Sequence, residues 1–114
     1  MNEISPSVAF WIFDAWREMN SQLHLSAIKE GVKQGSPVST VRTDPNASII
    51  SVVIVDTAGQ KREWIIPVSE AVLSFGVVPE ATPFPEFAEG VWRSFLSISF
   101  PDGRAIVFGE RYKG

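Results

Sequence analysis

The chain has 114 residues, of which 45% are hydrophobic and 20% charged, with a formal net charge of −3 and no cysteine. That is the balance of one globular domain able to bury about 65% of its extended surface, and it excludes a disordered chain and a second independent core. Without cysteine there is no disulfide, no thiolate catalysis and no cysteine-ligated zinc.

Charge placement narrows the classes further. Glu80, Glu86 and Glu89 lie between Gly76 and Gly90 with no base among them, so the rest of the chain is neutral. No lysine or arginine stripe is available to displace counterions, so no nucleic-acid partner is expected, and the pair Lys61-Arg62 reads as solvated surface. The first residues carry Glu3 and no base, which is wrong for a secretory signal. No apolar run approaches the about 18 residues needed to span a bilayer. The expectation is a soluble cytoplasmic protein without a membrane partner.

Ser5 and Pro6 supply an N-cap and a first helical residue, predicting a helix over about 6–22. Val8, Ile12, Ala15, Trp16, Met19 and Leu23 form its packing stripe at helical spacing. Phe10 falls among the polar residues Asp14, Arg17, Glu18 and Ser21, and Phe13 stands off the stripe. Such aromatics imply a second cover for the helix, from this chain or from another molecule.

From Leu23 to Ile28 the pattern alternates with period two, predicting a strand over 23–30, with Gly31 and Gly35 marking a hairpin or a bulge. A weaker strand over 37–43 ends at the turn Asp44-Pro45-Asn46-Ala47. Ile49 to Val55 is an almost unbroken β-branched run within a strand over 48–56, expected to be buried on both faces. It pairs with 61–67 through Asp56 to Gln60, with Gly59 in the left-handed position. Ser69 to Phe75 is open between a helical turn and a strand, and prolines 79, 83 and 85 predict an irregular loop over 76–90. The last hairpin joins 92–100 to 104–111 through Pro101-Asp102-Gly103.

The segment Val55-Asp56-Thr57-Ala58-Gly59-Gln60 resembles the Asp-x-x-Gly segment of Ras-like GTPases, where the aspartate reaches magnesium indirectly and the glycine amide touches the terminal phosphate. That mechanism also requires G-x-x-x-x-G-K-[ST] and an Asn-Lys-x-Asp segment, and neither is present. The six residues therefore read as a turn between strands.

His24 is the only histidine, and no Gly-x-Ser-x-Gly elbow marks a serine nucleophile. One histidine and no Asp-rich loop leave no metal site, and no cofactor is expected. Glu86 and Glu89 sit in a proline-rich loop, a poor frame for acid–base work. Of the four tryptophans, Trp16 and Trp64 fit a core, whereas Trp11 and Trp92 fit a partly open surface.

The layout predicts an α+β, mainly β fold: an N-terminal helix on a strongly bent antiparallel sheet or small barrel. The layout is similar to Sm-like or SH3-like barrels, or alternatively to the cystatin-like or NTF2-like helix on a curved sheet. The function expected is a non-catalytic interaction module that forms a homo-oligomer or binds a protein partner. Its contact candidates are Phe10, Trp11, Phe13, Phe84, Phe87 and Trp92. The alternative is a small-molecule binding barrel with an aromatic-lined cavity.

Overall fold

Helix α1 (Pro6–Glu18) starts where Ser5 accepts the Val8 N–H at 3.3 Å through its side chain, with Pro6 opening the first turn. It stops four residues before the expected end. Asn20 takes φ +54°, its N–H donates to the Arg17 carbonyl, and the Ser21 N–H donates to the Trp16 carbonyl. This is a Schellman stop with asparagine in the place usually held by glycine. The computed structural model describes residues 2–29, 32–56, 58–77 and 92–111, without side chains at 28, 29 and 32–35. Phe84, Phe87, Glu86 and Glu89, with nearly all of the proline-rich loop, lie outside the described residues.

Among the described residues, eight strands make one antiparallel sheet: β1 (Asn2–Ile4), β2 (Leu23–Lys29), β3 (Val32–Asp44), β4 (Ile49–Val55), β5 (Lys61–Pro67), β6 (Val72–Val77), β7 (Trp92–Ser99) and β8 (Ala105–Arg111). Their order across the sheet is β1-β6-β7-β8-β2-β3-β4-β5. The expected mainly β class with one N-terminal helix is therefore correct, but the strongly bent sheet and the barrel are not. The sheet is open and not strongly curled, because closure would need its two outer strands to pair. β1 has three residues, all paired to β6, and β5 carries Lys61, Arg62, Glu63 and Pro67, residues that discourage further pairing.

Helix α1 covers one face. Ala9, Phe10, Ile12, Phe13 and Trp16 are buried, and Phe13 meets Phe108 of β8 edge-on at 4.9 Å between ring centroids. This corrects the expected stripe. The apolar face is centred on Ala9, Phe13 and Trp16, wide enough to take in Phe10, while Val8 and Met19 look outward. Leu25, Val41, Ile50, Val52, Leu73, Leu96 and Ile98 complete the core under the helix.

Three further expectations are corrected. β4 alternates between buried and half-buried residues, since only its Ile50, Val52 and Ile54 side meets the helix-bearing core. The open stretch 69–75 resolves into a turn at Ser69–Glu70 followed by β6, which continues through Gly76 and Val77 into the segment expected to be irregular. Trp64 is half-buried, packed against the rim of the core from the edge strand rather than within it, whereas Trp16 is buried as expected.

Candidate interaction surfaces

The contact candidates separate cleanly on the helix. Phe10 and Phe13 are core residues, 6% and 0% exposed, and so are not available to a partner. Trp11 points the other way and is 71% exposed. Val8 and Met19 are also largely open, and with Ala15 they place one apolar stripe at i, i+3, i+7 and i+11 along the solvent side of α1. The helix is thus apolar on two sides, one of them unused by this chain's core.

Trp92 is buried, against the expectation of a partly open residue. It starts β7 just before a bulge and shares the sheet face opposite the helix with Phe95 and Val107. Arg111, its ladder partner, places its guanidinium carbon 5.6 Å from the Trp92 ring centroid, and the His24 ring lies 5.8 Å away. Phe95 is paired with Gly76 on one side and Gly109 on the other, which leaves room for these rings to gather.

Glu110 was not singled out from the sequence, yet it is the one buried acid among the described residues. Ser21, just after the helix, donates its hydroxyl to Oε2 at 2.7 Å, and Ser94 of β7 donates to Oε1 at 2.8 Å. The signal was there: Ile106, Phe108 and Glu110 share the core parity of β8, and an acid at such a position must be paired. His24 is opposite Gly109 and Leu23 opposite Glu110, so His24 and Glu110 face opposite sides of the sheet and form no acid–base pair.

The Asp56 segment is a turn. Asp56 Oδ1 accepts from the N–H groups of Ala58 and Gln60, Oδ2 meets Arg62 Nε at 3.0 Å, and Gly59 has φ +80°. The Gln60 N–H, followed by Arg62 and the Ala58 N–H, holds the Asp56 carboxyl below its ordinary 3.8 against the opposing effect of burial. The Phe100–Arg104 turn repeats the device: Asp102 is lowered chiefly by the Arg104 N–H, and Gly103 has φ +91°.

Clefts open among the described residues. One of about 440 Å³ lies between the end of α1 and β3, and one of about 310 Å³ lies between Pro67–Glu70 and the Phe100–Arg104 turn. No group of three or more metal-ligating side chains occurs among the described residues, and no described helix is long and apolar enough to cross a membrane. Comparison with family models, with characterised proteins and with solved structures finds no match.

Proposed function

We propose that this chain is a non-catalytic interaction module that self-associates through the solvent side of its N-terminal helix. The observation behind this reading is the stripe Val8, Trp11, Ala15 and Met19, with Trp11 71% exposed on a helix whose other side already fills the core. Large exposed aromatics set in an apolar strip are the residues that carry binding energy at protein interfaces. A second copy supplies the same strip, so a two-fold helix-to-helix contact satisfies both at once. The small-molecule alternative has less support, since the cleft beside β3 contains a single aromatic, Trp16.

Sedimentation velocity on the wild type and on Trp11→Glu tests the reading. The expected result is an oligomer for the wild type and a folded 12.6 kDa monomer for the variant. A variant that keeps the wild-type mass would place the contact elsewhere.

A further inference from the structure

β3 changes partner half-way along its length. Residues up to Val38 pair with β2, and residues from Val38 to Asp44 pair with β4. The handover is a bulge between Val38 and Thr40 that leaves Ser39 without a Cα partner. Because β2 begins at Leu23, opposite Val38, no strand among the described residues pairs with the β2 side of β3 from Ser39 onward. In an antiparallel pair, alternate residues turn their N–H and C=O groups away from the partner strand. Between Ser39 and Thr43 those groups open into the cleft of about 440 Å³, whose far wall is Trp16, Arg17, Asn20 and Ser21.

Charge selects the occupant. Arg17 and Arg42 line the cleft and no acid among the described residues does, in a chain that is acidic overall. Asp14 sits behind Arg17 at 3.4 Å, but it also accepts the Thr43 hydroxyl at 2.8 Å, and the Arg17 side chain is 52% exposed. The wall is also fixed in advance. Asn20 holds the helix stop, and the Ser21–Glu110 bond ties that stop to β8.

We propose that this cleft takes an extended peptide segment carrying a carboxylate, added to the Ser39–Thr43 edge of β3 as a further strand. Main-chain pairing to β3 supplies the affinity, and the Arg17 guanidinium reads the carboxylate. The volume lies within the range of ligand sites. The outer edge of β5 is different in kind, because Pro67 and a run of charges blunt it.

Amide NMR on the labelled full chain tests this, using a blocked hexapeptide of alternating valine and glutamate and its lysine counterpart as probes. The expected result is saturable shifts confined to residues 39–43 and 20–21, with the lysine peptide and the Arg17→Glu variant each weaker by about tenfold. The Arg17→Glu spectrum without peptide reports whether that variant is folded, and the lysine peptide on the wild type makes the charge test independently. Absence of saturable shifts up to about 5 mM peptide, a range that reaches millimolar affinity, would overturn the proposal. So would equal binding of the lysine peptide, or shifts centred on β5. Shifts at 39–43 that grow with protein concentration alone would assign the edge to a second copy and overturn it as well.

Discussion

Ser21 donates its hydroxyl to Glu110 Oε2 at 2.7 Å, joining the end of the only described helix to the next-to-last residue of β8. Ser94 meets the other oxygen of the same carboxylate, so one buried acid satisfies two hydroxyls from two other elements. Glu110→Ala strands the buried Ser94 hydroxyl and takes the acceptor from the part-buried Ser21, and should lower stability by about 1–3 kcal/mol. Glu110→Gln keeps an acceptor and a similar shape and should cost less. Urea unfolding of the three proteins gives the order, and an alanine variant as stable as the wild type would contradict it.

Phe10 and Trp11 are neighbours with opposite fates. Phe10→Glu buries a charge where an aromatic fills the core, and it should cost at least the about 3–5 kcal/mol of a large aromatic truncation. Trp11→Glu alters a position exposed in the protomer and, compared at a concentration where the wild type is dissociated, should leave stability nearly unchanged. Thermal melts of the two variants separate these outcomes, and equal losses would show that the helix face is assigned wrongly.

The hairpin glycines can be tested without ambiguity from packing. Nothing lies within 4 Å of a Cβ built on Gly59 or Gly103, so any cost of a side chain there comes from the positive φ alone. Valine at either position should destabilise by about 1–2 kcal/mol. Chemical denaturation with unchanged midpoints for both variants would refute the turn geometry.

Asp56 and Asp102 give a pH signature. Their folded-state carboxyls are depressed below the ordinary 3.8, each first by a backbone N–H, from Gln60 and Arg104 respectively. A depressed pKa contributes stability that is complete at neutral pH and is lost as the pH falls through the folded values. Carboxyl NMR titration should place both midpoints below 3.8, and a midpoint at or above that value would contradict the hydrogen bonding described.

Much of this architecture is legible in the sequence, for local reasons. Ser5-Pro6 marks the helix start because both residues act within one turn, and the Asp- and Gly-bearing turns fix two hairpins through backbone angles alone. The helix stop was hidden because Asn20 does the work expected of glycine. β1 is too short to show a period, and β6 becomes a strand because Leu73 and Phe75 must face the core beside β7. The helix face was misjudged because two apolar stripes overlap on it. Only the placement of the sheet decides that Phe13 goes inward and Trp11 outward, and the same placement buries Trp92 beside Arg111. Glu110 shows in the sequence only as an acid at core parity; its two hydroxyl partners lie 89 and 16 residues away.

Light scattering on the wild-type chain over a range of concentrations tests the central claim most directly. Self-association through the Val8–Met19 stripe predicts a mass at or above twice 12.6 kDa at high micromolar concentration. A mass that stays at 12.6 kDa throughout would contradict it.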